Sequence, residues 1–312
     1  MDYKLVVSSS PHTHAGLTTP QIMGWVLAAL VPAGVMGVVR YGARAAAVMA
    51  VCVFACVFCE FLWQKCTGRA VTVGDGSAAV TGLLLAYNLP PTIPYWMAVG
   101  GSLFAIVVVK QFYGGLGGNI VNPALAARAM MLASWPVPMT TWTLDGVSAA
   151  TPLALMKSGN VSALPSYLDL FLGRTGGCIG ESCTLALLIG FAVLLWKDIV
   201  KWQTPVVYVA VVAALCTVFG RPAAPLAEIL SGGLFLGAIF MATDYTTSPI
   251  TLKGQLVFAA GCGLLTAVIR TWGGYPEGVS YSILIMNLLV PLIDRATKPR
   301  VFGEVKSHAQ NR

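Results

Sequence analysis

Apolar stretches of about 15 to 20 residues, separated by short polar segments, run through almost the whole chain. A helix of this length crosses the hydrocarbon core of a bilayer, so the pattern predicts an all-α polytopic membrane protein. We expect about ten transmembrane helices, five on each side of a long polar segment. The predicted spans are residues 22–39, 45–63, 76–91, 92–109 and 119–135, and then 182–196, 202–220, 229–243, 254–269 and 278–293.

The two halves of the chain share a short motif. Residues 109–115, VKQFYGG, resemble residues 269–274, IRTWGG, and each motif follows an apolar span that contains glycine. Because five is an odd number, two such halves have opposite orientations, as in the inverted repeats of many transporters. Chance similarity between glycine-rich helices is the alternative. The expected organisation is a first five-helix repeat (1–135), an external loop (136–181), a second five-helix repeat (182–294) and a basic cytoplasmic tail (295–312).

The third and eighth predicted spans carry glycine and proline near their ends. Residues 74–77 are Gly-Asp-Gly-Ser and residues 88–91 are Asn-Leu-Pro-Pro, while residues 244–249 are Asp-Tyr-Thr-Thr-Ser-Pro. This pattern favours broken or half-length helices, which persist at membrane depth only where they line a cavity or pack against protein. We expect the third span to be discontinuous, and an ordinary short helix with a proline turn is the alternative.

Composition narrows the class of protein, and the distribution of charge orients it. Of the 312 residues, 57% are hydrophobic and 10% are charged, and the mean hydropathy is +0.77. These values exclude a soluble globular protein, a disordered chain and a nucleic-acid-binding domain. With the N-terminus inside, the inner segments hold twelve Lys and Arg residues and the outer segments hold six. This bias predicts that both termini are cytoplasmic and that the loop 136–181 lies outside.

Few ionisable residues fall near the predicted hydrocarbon region. They are Glu60, Asp75, Arg128, Asp244 and Asp294. A charge at that depth is costly and usually functional, although the residues near span ends can reach water. Two roles are compatible with the position of Arg128, namely pairing with a carboxylate and a part in an ion path. The candidate ion-path residues are Asp75, Asn122 and Asp244, and for Asp75 the alternative is a helix cap.

The external loop contains a segment of small residues that ends in a threonine before a proline. It reads Asp145-Gly-Val-Ser148-Ala-Ala150-Thr151-Pro. An external enzyme can modify a hydroxyl that is presented on such an uncrowded backbone, and the proline prevents a helix from running into the site. The loop also holds Cys178, and Cys183 lies just beyond it. A disulfide between them is compatible with the sequence, which does not decide whether it forms.

The segment Asp145-x-x-Ser148-x-Ala150-Thr151 resembles the flavinylation motif, Asp-x-x-Ser/Thr-Gly-Ala-Thr, whose last threonine receives FMN through a phosphoester. Residues 74–77, 81–86, 89–91, 114–119 and 122–124 resemble the same proteins. Over nearly its whole length the chain looks like the D subunits of Rnf complexes, the ion-pumping ferredoxin:NAD⁺ oxidoreductases. It is also similar to the B subunits of Na⁺-translocating NADH:quinone oxidoreductases. Ala149 departs from the motif, which usually has glycine there.

The resemblance implies a membrane flavoprotein of the bacterial inner membrane. FMN would be attached to Thr151 by a flavin transferase, and a second, non-covalent flavin (riboflavin) would lie within the membrane. Other Rnf subunits, which carry Fe–S and flavin groups, would pass electrons from ferredoxin towards NAD⁺ while Na⁺ or H⁺ is exported. The alternatives are a redox-inactive channel of urea- or ammonium-channel-like fold, since fold does not define function, and a scaffold for the Fe–S subunits.

Overall fold

The computed structural model describes residues 16–144, 147–148, 150–181 and 183–299. In this part of the chain the regular structure is helical apart from one two-stranded hairpin. The helices of the first half are α1 (Thr19–Tyr41), α2 (Ala43–Cys66), α3 (Ser77–Tyr87), α4 (Tyr95–Leu103, continued by a π-helix over Phe104–Gln111) and α5 (Pro123–Ser134). Those of the second half are α9 (Thr184–Trp196), α10 (Gln203–Val218), α11 (Pro225–Leu230), α12 (Leu234–Leu236, continued by a π-helix over Gly237–Met241), α13 (Leu252–Trp272) and α14 (Val279–Thr297).

Short elements fill the segment between the two halves. They are α6 (Pro136–Thr140), the antiparallel hairpin β1 (Thr143–Leu144) and β2 (Val147–Ser148), α7 (Pro152–Lys157), a 3₁₀ turn (Val161–Ala163) and α8 (Tyr167–Leu172). Only a connecting loop was expected here. The short helices begin where the sequence supplies caps, because proline occupies the first turn of α6 and α7 and Ser166 caps α8.

Four helices are long and apolar enough to cross a membrane, namely α1, α2, α13 and α14. Four shorter apolar helices, of 10–17 residues, accompany them: Ser77–Tyr87, Tyr95–Gln111, Thr184–Trp196 and Gln203–Val218. Large side chains such as Phe54, Val39 and Val218 are exposed on the outside of the bundle. Such a surface suits lipid rather than water. The chain is therefore a multi-pass membrane protein.

Small residues allow the helices to pack closely. α2 packs against α3 and α10 against α13, while α1 with α9 and α5 with α14 join the two halves. At Gly82 of α3, an added Cβ would lie 2.8 Å from the carbonyl oxygen of Cys52 on α2. A larger residue at this position would force the two backbones apart.

A glycine in the left-handed region precedes a short helix in each half. Gly76 (φ 77°) separates a 3₁₀ turn over Val73–Asp75 from α3, and Gly232 (φ 71°) lies between α11 and α12. The expected interruption within the third span is wrong, because α3 is one uninterrupted half-length helix. The predicted eighth span is the one that contains a break, at residues 231–233.

Candidate functional site

Thr151 lies directly before α7 and forms its N-cap. Its Oγ accepts a hydrogen bond from the backbone N–H of Ala154 (3.2 Å), and Pro152 is the first residue of the helix. Ser148 belongs to β2 and pairs through its backbone with Thr143. Ala150 is exposed, and Asp145 lies outside the described residues. The motif therefore leads from a hairpin to a partly exposed threonine whose hydroxyl is held in a fixed direction.

Thr151 lines a cavity of about 440 Å³. Its walls come from α5, α7, the segment 175–181, the break at 231–232 and the segment 275–281. Three aromatic residues, Trp142, Tyr275 and Tyr281, lie among the lining side chains. The volume is within the usual range for small-molecule sites, about 300–1,000 Å³, and aromatic walls suit a planar ring system. The cavity beside Thr151 therefore fits a cofactor of the size of a flavin ring.

A buried ionic cluster forms another wall of this cavity. The Arg128 guanidinium pairs with the Glu277 carboxylate and donates a second hydrogen bond to the Ser280 hydroxyl. Glu181 accepts a hydrogen bond from the backbone N–H of Cys178 (3.0 Å). Of the two roles left open for Arg128 by its sequence, pairing with a carboxylate is the one found.

The two carboxyl groups of this cluster titrate differently. Burial, followed by the neighbouring Glu277 carboxylate, raises the pKa of Glu181 to about 8. Burial acts on Glu277 in the same direction, but its ion pair and hydrogen bond with Arg128 outweigh that effect and lower its pKa. Of the two carboxyl groups, Glu181 is therefore the one that favours the protonated form, and Glu277 is the one that pairs with Arg128 as a carboxylate.

The predicted ion-path residues lie around a second, smaller cavity of about 80 Å³. Asn122 and Asp244 line it, together with Ser77, Lys110 and Asn119. Asn122 also caps α5, because its Oδ1 accepts from the backbone N–H groups of the second and third residues of that helix (3.1 and 3.3 Å). The polar groups at this cavity are therefore also fixed by the ends of the helices.

Asp75 reaches this cavity only through Ser77. Its Oδ1 accepts from the backbone N–H (2.8 Å) and the hydroxyl (2.6 Å) of Ser77, the first residue of α3. Asp75 thus satisfies the first N–H of α3 from the position before Gly76, the N-cap residue, so it acts at the helix start as weighed from the sequence. The Ser77 hydroxyl in turn accepts from Lys110 Nζ (2.6 Å), so all three side chains belong to one polar network.

Two buried ion pairs lie at matching positions in the halves. Lys110 Nζ lies 2.8 Å from a carboxylate oxygen of Glu60. Arg270 Nη1 lies 3.5 Å from a carboxylate oxygen of Glu228. Both basic residues were predicted to lie in loops, but the helices that carry them extend further than the apolar spans. The signal available in the sequence was the shared motif of residues 109–115 and 269–274, in which Lys110 aligns with Arg270.

Sequence reasoning did not single out Glu181, Glu228 or Glu277. Each lies outside the predicted spans. Glu277 and Glu228 pair with basic residues of distant segments, Arg128 and Arg270, and Glu181 is brought close to Glu277 by the packing of two loops. The structure leaves Cys178 and Cys183 as free thiols, and their Sγ atoms face the backbone oxygens of Asn88 and Phe171 respectively.

The fold and the site together define a multi-pass membrane protein with a cofactor-sized cavity beside a capped threonine. The chain belongs to the NQR2, RnfD, RnfE family, whose model matches residues 6–303. It is 50% identical over 311 residues to the D subunit of the Na⁺-translocating ferredoxin:NAD⁺ oxidoreductase complex of Acetobacterium woodii, covering 98% of this chain and 97% of that protein.

Two further relatives carry related names. The chain is 44% identical to the D subunit of the proton-translocating ferredoxin:NAD⁺ oxidoreductase complex of Clostridium ljungdahlii (95% and 96% of the two chains). It is 38% identical to the D subunit of the ion-translocating oxidoreductase complex of Stutzerimonas stutzeri (91% and 92%). The resemblance to D subunits of Rnf complexes is confirmed. The first two relatives differ in the ion that they are named for, so similarity alone does not select Na⁺ or H⁺.

Proposed function

We propose that this chain is the membrane flavoprotein subunit of an ion-translocating ferredoxin:NAD⁺ oxidoreductase complex, with FMN bound covalently to Thr151. The observation that carries the proposal is the position of Thr151, the last residue of a flavinylation motif, on the wall of a 440 Å³ cavity. Two of the named relatives are D subunits of ferredoxin:NAD⁺ oxidoreductase complexes. In this chain, FMN would pass electrons between carriers on the other subunits of the complex.

The residues around the cavity fit the parts of FMN. The Thr151 Oγ would form the phosphoester after the action of a flavin transferase, and an ester oxygen keeps a lone pair for the Ala154 N–H. Trp142, Tyr275 and Tyr281 offer flat apolar surfaces for the ring. When bound, the flavin supplies one- and two-electron chemistry, and the protein supplies attachment, orientation and electrostatics.

The same proposal includes the topology predicted from charge. Both termini would be cytoplasmic and the cavity at Thr151 would open on the outer side of the inner membrane. The two halves would form an inverted repeat. Support comes from two matched pairs of residues: Lys110 with Arg270, each on a buried carboxylate, and Gly76 with Gly232, each before a short helix.

For the second cavity we propose a place in the path of the coupling ion, Na⁺ or H⁺. Asn122 and Asp244 line it and Asp75 reaches it through Ser77, so oxygen ligands suited to a small cation surround it. A volume of about 80 Å³ accommodates a cation and several waters. It is smaller than a usual ligand site, so a second, non-covalent flavin such as riboflavin would need these walls to separate.

The attachment of FMN is tested by comparing Thr151→Val with wild type, each co-expressed with a flavin transferase. The purified wild-type chain should fluoresce under ultraviolet light on a denaturing gel, and Thr151→Val should not, because only a covalent flavin survives denaturation. Thr141→Val is the matched control, since Thr141 lies in the same segment, is exposed and does not line the cavity. Equal fluorescence from Thr151→Val would overturn the assignment.

A channel without redox activity is the competing function. The two functions are separated by measuring urea and ammonium flux in liposomes that hold the chain alone. We expect no flux above that of empty liposomes, and rapid solute flux from a chain that carries no flavin would favour the channel.

A further inference from the structure

Glu181 and Glu277 form a close pair of carboxyl groups in the wall of the Thr151 cavity. Both line this cavity. A Cβ built on Gly233 would lie 2.8 Å from Glu181 Oε2 and 3.1 Å from Glu277 Oε1, so both oxygens approach the same point on the backbone. Two charged carboxylates this close to one backbone position repel each other, and a single shared proton removes the repulsion.

One of the four carboxyl oxygens of the pair has no hydrogen-bond partner. Both oxygens of Glu277 have donors, because one accepts from Arg128 and the other from the Gly233 N–H (3.2 Å). Glu181 Oε1 accepts from Cys178 N–H, but Glu181 Oε2 is buried and has no donor. The Glu181 side chain is nine-tenths buried. A proton on Oε2 would turn this unpaired acceptor into a donor towards Glu277.

Rigid backbone segments hold Glu181 at this position. The N–H groups of Ile179 and Gly180 donate to the carbonyl oxygens of Leu89 and Tyr87 (3.1 Å each), at the end of α3. The Tyr41 hydroxyl donates to the carbonyl oxygen of Gly177 (3.2 Å), at the end of α1. These contacts fix the backbone that carries Glu181, and a proton-transferring side chain must be held at a defined position.

Every packed element contributes to the electrostatics of Glu181. The charged and titratable groups around it are Arg128 on α5, Glu277 before α14, Cys178 on its own loop and Tyr41 on α1, with Arg40 beside Tyr41 and with Tyr275 and Tyr281 also in the cavity wall. Arg128 favours the charged form, but its closest contact is with Glu277. The balance leaves Glu181 as the protonated member of the pair.

We propose that Glu181 and Glu277 share one proton and that Glu181 exchanges this proton with a flavin held on Thr151. When two electrons enter the flavin from a reduced Fe–S or flavin carrier of the complex, Glu181 releases its proton to a ring nitrogen and becomes a carboxylate. When the two electrons leave for the next carrier, the proton returns to Glu181. Arg128 stabilises the second negative charge while the proton is away. The exchange with the flavin rests on the proposed function, whereas the sharing of a proton does not.

The sharing of a proton is tested without any flavin, in the Thr151→Val background. The native chain holds a proton on Glu181 up to about pH 8, whereas the unfolded chain loses it near the ordinary pKa of about 4.3. Stability must therefore fall as pH rises from about 5 to 8, because the native state binds more protons than the unfolded state in that window. Glu277, whose pKa is lowered, and Cys178, whose pKa burial raises well above its usual value, titrate outside it.

The measurement is the thermal unfolding temperature in detergent between pH 5 and pH 8. We expect Thr151→Val to lose stability across this range and Thr151→Val with Glu181→Gln to lose much less. Asp169→Asn in the same background is the matched control, because Asp169 is a partly exposed carboxylate of the same segment and its ion pair with Arg174 lies at the surface. If the unfolding temperatures of the Glu181→Gln and Asp169→Asn chains change in parallel with pH, the proposal that the two carboxyl groups share a proton is wrong.

The exchange with the flavin is tested on the flavinylated chain. The rate at which dithionite reduces the covalent flavin should fall as pH rises through about 8, and Glu181→Gln should lower the rate by about a hundredfold and remove this dependence. A small diffusible acid such as imidazolium should restore part of the rate to Glu181→Gln and leave Asp169→Asn unchanged. Wild-type rates and an unchanged pH profile in fully flavinylated Glu181→Gln would overturn the exchange.

The two possible failures can be told apart. If wild type carries no covalent flavin, the proposed function fails and the exchange fails with it, while the unfolding curves still decide whether the proton is shared. If Glu181→Gln lacks flavin and wild type has it, the variant Glu181→Asp, which keeps a carboxyl group, repeats the rate measurement. Wild-type rates in Glu181→Asp with no dependence on pH would contradict the exchange.

Discussion

Lys110 and Arg270 occupy matching positions in the two halves, yet they contact different groups. Lys110 Nζ binds the Glu60 carboxylate (2.8 and 3.0 Å) and the Ser77 hydroxyl (2.6 Å), and it lines the smaller cavity. Arg270 is completely buried and donates to the backbone carbonyl oxygens of Glu228 (2.6 Å) and Ser231 (3.1 Å). Lys110 is therefore in contact with a cavity, and Arg270 bonds the carbonyl groups at the interruption between α11 and α12.

This difference separates a residue that lines the cavity proposed for the coupling ion from a residue that maintains the fold. An arginine has a planar fork of donors that satisfies several carbonyl groups at once, as the break between α11 and α12 requires. A lysine ammonium is a compact charge on a flexible stem, which suits a polar cavity of the kind that we propose for the coupling ion. The repeated motif thus preserves a buried positive charge in each half while the surroundings give each charge a different role.

The largest effect should come from Arg270→Met. This change leaves the Glu228 carboxylate with Arg221 alone and two buried carbonyl groups at the break without donors. A buried carbonyl group left without a donor costs about 1–3 kcal/mol, so the two together should cost about 2–6 kcal/mol. The free energy of unfolding in detergent measures the loss, with Lys253→Met as an exposed control on the same helix. A loss no larger than that of Lys253→Met would remove the fold-maintaining role from Arg270.

A smaller loss of stability is expected for Lys110→Met. Glu60 keeps the side-chain amide donors of Gln111 (2.7 Å) and Gln64 (3.4 Å), so its carboxylate is not left bare. We expect a loss of about 1.5–3 kcal/mol, the range for a hydrogen bond to a charged group. The same unfolding measurement, with Lys65→Met as the control at the exposed end of α2, tests this order. A loss of stability larger than that of Arg270→Met would show that Lys110, and not Arg270, contributes more to the fold.

The smallest effect on stability is expected for Asp75→Asn. An asparagine oxygen can still accept from the Ser77 N–H, so the cap is kept and the loss should be below about 1 kcal/mol. Loss of the negative charge beside the Lys110 network should nevertheless impair ion uptake by proteoliposomes that contain the assembled complex. Flavin fluorescence on a denaturing gel is the control readout. If uptake and flavin attachment fall together, Asp75 supports folding rather than the ion path.

The sequence predicted the long helices well, and it singled out Thr151 as the candidate flavin attachment site, because both inferences depend on local signals. The apolar spans at residues 22–39 and 45–63 match α1 and α2, and a motif of consecutive residues identifies Thr151. Glu181 and Glu277 carry no local signal, since their proximity depends on the packing of loops from both halves. Lys110 was assigned to a loop because apolarity ends before it, although the helix continues to Gln111.

The most direct test of covalent flavin attachment is mass spectrometry of the proteolytic peptide that contains Thr151, from chain co-expressed with a flavin transferase. We expect a peptide heavier by FMN less one water, with fragment ions that assign the added mass to Thr151. An unmodified peptide from a chain that is active in its complex, or an adduct on another residue, would contradict the attachment of FMN to Thr151.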